Sequence, residues 1–279
     1  MSSFRTSLQV RFQNILFATD FSATADRALP YAIEIARRSV ATIHAVYVIS
    51  PDGSPFAPPE EWAEIARDQE EFLEREKKRL ELELQELPHE FLTLSGAVWE
   101  NLERVIRDKN VDLLVLGTHG RTGIAKALLG SVAEKIFRQA TCPVLTVGPG
   151  VAPRAAHAAA AELNCILYAT DFSPESLAAA RCAISLAKDH RAQLILLHTE
   201  EDGMKGQEDL ALETLKNVVP LGACLASEPN YLVERGPAAD AILRAAKKAH
   251  ADLIVLGARG SEKHLVLATH FSDSIASSV

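Results

Sequence analysis

The sequence lacks the features that mark several classes of protein. No apolar run approaches the roughly 20 residues that a membrane-spanning helix needs. The four cysteines show neither a CxxC pair nor the spacing of a metal site, and the first ten residues do not have the pattern of a secretory leader. These absences argue against a membrane protein or a disulfide scaffold, and they predict a cytoplasmic protein with reduced cysteines.

Acidic residues outnumber basic ones, and the common catalytic signatures are missing. The chain carries a formal net charge of −8, which argues against wide surfaces for nucleic acid or anionic membranes. It contains no GxxxxGK[ST] phosphate loop, no GxGxxG after a strand and no GxSxG turn. Ser131 has no histidine and acid partner that the sequence identifies. We therefore predict no catalytic residue and no metal ligand.

An internal repeat determines the predicted organisation. NILFATDFS begins at Asn14 and NCILYATDFS at Asn164, while VDLLVLGTHG begins at Val111 and ADLIVLGARG at Ala251. The chain has 279 residues, enough for two domains that each bury a core. We predict one domain over residues 1–150 and a second over 162–279, joined by the alanine-rich stretch VAPRAAHAAAAE.

Apolar periodicity alternates between strands and helices in both copies. In the first copy it predicts strands over residues 15–19, 42–49, 91–94, 111–116 and 144–147, and helices over 22–38, 60–87, 98–109 and 131–139. This order is typical of a doubly wound, Rossmann-like parallel α/β sheet. Asp20 and Gly117 follow two of these strands. If the two strands are neighbours, both residues lie at one crevice at the carboxyl edge of the sheet.

The stretch that follows the strand at 111–116 has the composition of an anion site. Gly117 and Gly120 open a loop, and Gly130-Ser131 begins a helical pattern. Glycines let backbone amides approach an oxyanion closely, and the first amides of a helix lack partners within it. Residues 117–131 also hold three basic side chains and no acidic one. This pattern predicts a phosphate site; the alternative is a strand-to-helix turn whose glycines relieve positive-φ strain.

Together these motifs resemble the universal stress protein family. ATDFS after the first strand, the Gly236-Pro237 turn, DLLVLG, the glycine spacing of residues 117–131 and the following CPVL all match the family's pattern. The resemblance covers both copies and identifies the chain as a tandem member. It implies a HUP-type (Rossmann-like) fold and binding of ATP, with or without Mg²⁺.

The resemblance also implies residue roles in the first copy. Asp20 would lie beside the ribose or a bound metal, Val48 would contact adenine through its backbone, and the glycine loop with Ser131 would hold the phosphates. We add His119 and Arg121 for their charge; solvated loop side chains are the alternative. The predicted nucleotide-binding residues are Ala18, Thr19, Asp20, Val48, Leu116, Gly117, His119, Gly120, Arg121, Gly130, Ser131 and Val132.

The second copy departs from this pattern. It keeps Gly257 and Gly260, but His270-Phe271 stands where the first copy has Gly130-Ser131, or Asp273 replaces the glycine in another alignment. Asp171 and Thr199 match Asp20 and Val48. We therefore expect a degenerate second domain and one working nucleotide site per chain.

The second copy also has no counterpart of residues 141–147. We therefore expect its last strand, residues 253–256, to have a bare edge. The strand at 144–147 would then pair with the other domain or with a second chain in a homodimer; alternatively, the sequence is a truncated form of a longer protein.

These observations predict a stress-response regulator that binds adenine nucleotide in its first domain. Two alternatives remain open at this point. One is a slow, metal-dependent ATP hydrolase or nucleotidyl-transfer enzyme that uses the same pocket. The other is a nucleotide-free interaction module whose surface is the charged helix over residues 60–87.

Overall fold

The fold is described from a computed structural model. The description covers residues 10–49, 62–118, 131–151, 161–200, 208–257 and 265–269. Each half alternates strands with helices, as the periodicity predicts.

The first half contains five strands and four helices among these residues. In chain order they are β1 (Asn14–Ala18), α1 (Ala23–Ser39), β2 (Thr42–Ile49), α2 (Trp62–Leu84), β3 (His89–Ser95), α3 (Val98–Asp108), β4 (Leu113–Gly117), α4 (Ser131–Gln139) and β5 (Val144–Val147). Ser22 begins α1 as predicted, because its side chain accepts a hydrogen bond from the amide of Ala25.

The second half repeats this order with a much shorter central helix. Its elements are β6 (Cys165–Thr170), α5 (Pro174–His190), β7 (Gln193–Glu200), α6 (Glu208–Val218), β8 (Asn230–Arg235), α7 (Ala238–Ala249), β9 (Leu253–Gly257) and β10 (Leu265–Thr269). Helix α6 has 11 residues where α2 has 23. Ser173 caps α5, and Pro174 occupies the first turn, where the missing N–H costs nothing.

The strands form one ten-stranded sheet in the order β3-β2-β1-β4-β5-β10-β9-β6-β7-β8. Strand β1 pairs in parallel with β4, with Ala18 opposite Leu116. These two strands are therefore neighbours, which is the condition for Asp20 and Gly117 to lie at the same edge. Their carboxyl ends meet at one edge of the sheet, next to the end of β2, which pairs with β1 on the other side.

Strand β10 corrects one expectation. The first half has five parallel strands and the second half has four, so the described part of the second half contains no parallel counterpart of β5. However, β9 does not have the bare edge that we expected. β10 runs antiparallel to β9 and parallel to β5, so it joins the two halves of the sheet. A returning strand satisfies the backbone groups at both edges.

Helices α1 and α5 contact each other over the centre of the sheet. They share the largest hydrophobic core, which includes Leu29 from α1 and Leu186 from α5. Two smaller cores lie on the opposite face. One packs beneath α3 and α4 in the first half, and the other packs beneath α7 in the second.

A repeated aspartate anchors the start of the first strand of each half, β1 or β6. The carboxylate of Asp112 accepts the amides of Gln13 (2.7 Å) and Asn14 (3.2 Å). Asp252 accepts those of Asn164 (2.8 Å) and Cys165 (3.0 Å) in the same way. Neither aspartate was predicted to have a role, although both copies of the repeat contain one, in VDLLVLG and in ADLIVLG.

Candidate functional site

The turn after β1 holds Asp20 through two short-range hydrogen bonds. The amide of Phe21 donates to Thr19 Oγ1 (2.9 Å), and the amide of Ser22 donates to Asp20 Oδ1 (3.0 Å). The amide of Thr19 also donates to the carbonyl of Val46 in β2 (3.0 Å). The orientation of the Asp20 carboxylate is thus tied to the backbone path from residue 19 to residue 22.

The edge of the sheet where β1, β2 and β4 end has an apolar floor. Ala18, Val48 and Leu116 come from the ends of three neighbouring strands and belong to one hydrophobic core beneath α3 and α4. Leu116 is buried, whereas Ala18 and Val48 are partly exposed. This arrangement places a partly open apolar surface beside the Asp20 turn. A flat aromatic ring can pack on such a surface, with polar groups available at its rim.

Gly117, the last residue of β4, is required by packing. A Cβ at this position would lie 2.8 Å from the amide nitrogen of Ala25 and 2.8 Å from the carbonyl carbon of Thr24, in the first turn of α1. The backbone of Gly117 is not in the left-handed region. This glycine therefore permits a close approach of strand and helix, rather than relieving φ strain.

The remaining predicted site residues lie beyond β4. Ser131 and Val132 form the start of α4. His119, Gly120, Arg121 and Gly130 lie outside the described residues. Thr118, the last residue described before them, is buried, and its amide donates to the carbonyl of Val147 in β5 (3.0 Å).

The second half reproduces the turn, but the chain continues differently after β9 than after β4. The amide of Phe172 donates to Thr170 Oγ1 (2.9 Å), and the amide and hydroxyl of Ser173 both donate to Asp171 Oδ1 (2.9 and 2.5 Å). A Cβ at Gly257 would lie 2.4 Å from Cα of Ser176 in α5. After β9, however, the chain returns as β10, whereas after β4 the next described element is α4.

Within the part of the chain that the structure describes, the reactive groups outside this turn do not form a second site. Cys142 is buried, and burial, followed by the charge of Asp112, raises the pKa of its thiol to about 12. A thiol with this pKa stays protonated and is a poor nucleophile. Within the described ranges, no three His, Cys, Asp or Glu side chains are placed to hold a metal ion. None of the described helices is long and apolar enough to cross a membrane.

Comparison with known proteins finds one family in both copies of the repeat. The sequence profile of the Universal stress protein family matches residues 11–148 and 163–279. Universal stress protein MJ0531 of Methanocaldococcus jannaschii is 36% identical over 143 residues, covering 49% of this chain and 82% of that protein. Universal stress protein A homolog 1 of Coxiella burnetii is also 36% identical over 143 residues, covering 50% and 97%.

A solved structure shows the same fold over nearly the whole chain. The crystal structure of a universal stress protein from Archaeoglobus fulgidus superposes with a TM-score of 0.69 at 20% identity, covering 95% of this chain and 99% of the other. The family profile, which matches both halves of the sequence, carries the assignment. The chain therefore belongs to the universal stress protein family.

Proposed function

We propose that the first half binds ATP at the crevice formed by the carboxyl ends of β1, β2 and β4. The observation that carries this proposal is the convergence of Ala18, Val48 and Leu116 beside the fixed turn of Asp20. Adenine would pack on the apolar floor, next to the backbone of Val48. The ribose would approach the carboxylate of Asp20, with Mg²⁺ as an additional ligand where it is present.

The phosphates would extend towards the start of α4. The first amides of a helix have no partners within it and carry the positive end of the helix dipole. Ser131 and Val132 supply such amides, and by their places in the sequence Gly117, Gly120 and Gly130 would flank the proposed path. His119 and Arg121 would add positive charge along it. The sequence over residues 117–131 contains no carboxylate that would repel a phosphate.

The second half would bind no ATP. Strand β10 follows β9 and is hydrogen-bonded to strands on both sides, so its paired backbone amides are not available to a phosphate. We therefore infer a nucleotide-binding domain over residues 1–150 and a degenerate domain over 162–279. The protein would act in the cytoplasm as a stress-response regulator whose nucleotide state changes its interactions.

The repeat supplies a matched pair of variants to test this proposal. Asp20→Ala and Asp171→Ala remove the same carboxylate from the same turn, so each loses the hydrogen bond to the following serine amide. We expect Asp20→Ala to weaken ATP binding about 10-fold or more, which corresponds to a lost charge-assisted contact of roughly 1.5–3 kcal/mol. Asp171→Ala should bind ATP as the unmodified protein does.

Isothermal titration calorimetry with ATP measures both affinities, and thermal unfolding checks that the variants fold. The proposal is wrong if the unmodified protein does not bind ATP, or if the two substitutions weaken binding equally. Gly130→Asp is an independent variant on the phosphate side. It adds a negative charge where the phosphates would lie and should cost about 2–4 kcal/mol of binding free energy.

A further inference from the structure

The residue after the site aspartate adopts a conformation that large side chains avoid. Phe21 has a φ of 57°, and Phe172, its counterpart in the second half, has a φ of 63°. Left-handed backbone is uncommon for residues other than glycine, asparagine and aspartate. Each phenylalanine lies between the site aspartate and the serine that caps the next helix. Contacts of the ring must therefore compensate for the backbone strain.

In the first half, rings from three elements surround Phe21. Its centroid lies 5.1 Å from Tyr47 in β2 and 6.3 Å from Phe91 in β3. Phe72 in α2 meets it edge-on at 5.7 Å. These separations lie within the range of favourable aromatic pairs. The long helix α2 thus contacts the residue next to Asp20 directly.

A second contact joins α2 to the other end of the same segment. Arg79 Nη2 donates to Asp26 Oδ1 at 2.7 Å. The amide of Asp26 in turn donates to the carbonyl of Ser22, the capping residue. Phe72 and Arg79 are seven residues apart, so they lie two turns apart on one face of α2. Helix α2 therefore contacts the segment from residue 21 to residue 26 near both of its ends.

The second half has the strained phenylalanine, but its described central helix, α6, offers it no aromatic contact. Phe172 stacks on His198 of β7, with ring centroids 4.3 Å apart. Helix α6 contains no aromatic residue that could take the place of Phe72. The aromatic contact from the central helix is thus confined to the half in which we propose a nucleotide site.

We propose that α2 controls the nucleotide affinity of the first half by holding Phe21, and through it Asp20, in position. This inference rests on the proposed function. Phe21 and Phe72 are positioning residues. Release of Phe21 from its left-handed conformation moves the Ser22 amide, which is the hydrogen-bond donor to the Asp20 carboxylate.

Phe72→Ala tests the contact, with two controls. Phe72→Tyr keeps the ring and should behave as the unmodified protein does. Phe172→Ala removes the equivalent strained ring in the half without the α2 contact. Amide hydrogen exchange in the absence of ligand reports on the segment over residues 20–26, and calorimetry reports on ATP affinity. For Phe72→Ala we expect faster exchange in this segment and an ATP Kd raised on the order of 3- to 10-fold.

Coupling between two sites acts in both directions, so the effect of ATP on α2 supplies a further readout. If α2 and the site are coupled, ATP must slow amide exchange in α2 near Phe72 as well as at the turn, and Phe72→Ala must abolish the effect at α2. A merely structural role would lower the melting temperature without this ligand-dependent change.

The outcomes separate this inference from the proposed function. If ATP does not bind but Phe72→Ala still speeds exchange at residues 20–26, the nucleotide proposal fails and the helix contact stands. If ATP binds and Phe72→Ala changes neither exchange nor affinity, the control by α2 is refuted. It is also refuted if Phe172→Ala weakens ATP binding as much as Phe72→Ala does.

Discussion

At the scale of single residues, the strictest requirement is for glycine at the ends of β4 and β9, where any side chain would collide with the neighbouring helix. Gly117→Ala would push a methyl group against the backbone of α1, which cannot move as a flexible side chain can. We expect a loss of about 1–3 kcal/mol in the free energy of unfolding, measured by chemical denaturation. Gly257→Ala should cost at least as much, because its Cβ would approach α5 more closely.

Gly150→Ala is the control for these two substitutions. Its Cβ would meet no atom within 4 Å, and its backbone is not left-handed. Its stability should therefore stay close to that of the unmodified protein. Equal stability of the Gly117→Ala and Gly150→Ala proteins would contradict the close-approach explanation.

At Val40, in contrast, substitution by glycine should increase stability. Val40 ends α1 in the left-handed conformation, with a φ of 57°, and the residue is 82% exposed. A β-branched residue is strained there, and glycine is not. Val40→Gly should therefore raise the free energy of unfolding by about 1 kcal/mol in denaturant titrations. Arg191→Gly, at the matching end of α5, should gain less because arginine is not β-branched.

Individual residues also show how much of the local structure could be predicted from the sequence. Ser22 and Ser173 cap their helices as expected, because the capping signal is local. The role of Gly117 could not be read from the sequence. It depends on how closely α1 approaches β4, which the spacing of the glycines does not indicate. All of the predicted nucleotide-binding residues, Gly117 among them, stay predictions.

At the scale of elements, the contact of α1 with α5 contains a buried histidine. His190 faces Glu34 across this contact, with 4.0 Å between Nδ1 and Oε1, and Arg38 already pairs with the same oxygen at 2.8 Å. Neither ring nitrogen of His190 has a hydrogen-bond partner in the described parts of the chain. Burial, with a smaller contribution from Arg38 and against the attraction of Glu34, lowers the pKa of His190 to about 4.

This pKa predicts a loss of stability in acid. The folded-state pKa lies below the ordinary value of 6.5, so the unfolded chain binds more protons between these pH values. The stabilisation is therefore present above pH 6.5 and is lost as the pH falls towards about 4. The full effect is roughly 3 kcal/mol.

Denaturant titrations between pH 7 and pH 4.5 measure this effect. His190→Gln should flatten the pH dependence over this range. The control His250→Asn, at an exposed histidine, should keep the slope of the unmodified protein. An unchanged slope in His190→Gln would show that other groups cause the acid sensitivity.

The bounds of most elements agree with the periodicity, whereas β10 was not predicted. Strands β2 and β5 and helix α4 have the predicted limits, because each has a clear apolar pattern between breakers. Residues 265–269 are also apolar, but their pairing depends on two edges that are distant in sequence. Comparison with the first copy led us to expect a bare edge at residues 253–256, so the repeat itself misled the prediction.

At the scale of the whole molecule, the asymmetry of the two halves predicts the stoichiometry. Calorimetric titration of the intact chain should saturate at about one ATP per chain. In the second half β9 is followed by the paired strand β10, whose backbone amides are not available to a phosphate. Two tight sites would contradict this expectation. Asp171→Ala serves as the check, since it should leave both the stoichiometry and the affinity unchanged.

The position of β10 also affects how the chain folds during synthesis. Strands β5 and β9 are both made before β10, and each must keep an apolar edge unpaired until residues 265–269 emerge from the ribosome. Pairing between residues so far apart in sequence is slow, and open edges bind other nascent chains readily. We therefore expect the centre of the sheet to be the last part to close and, until then, the part most exposed to pairing with other chains.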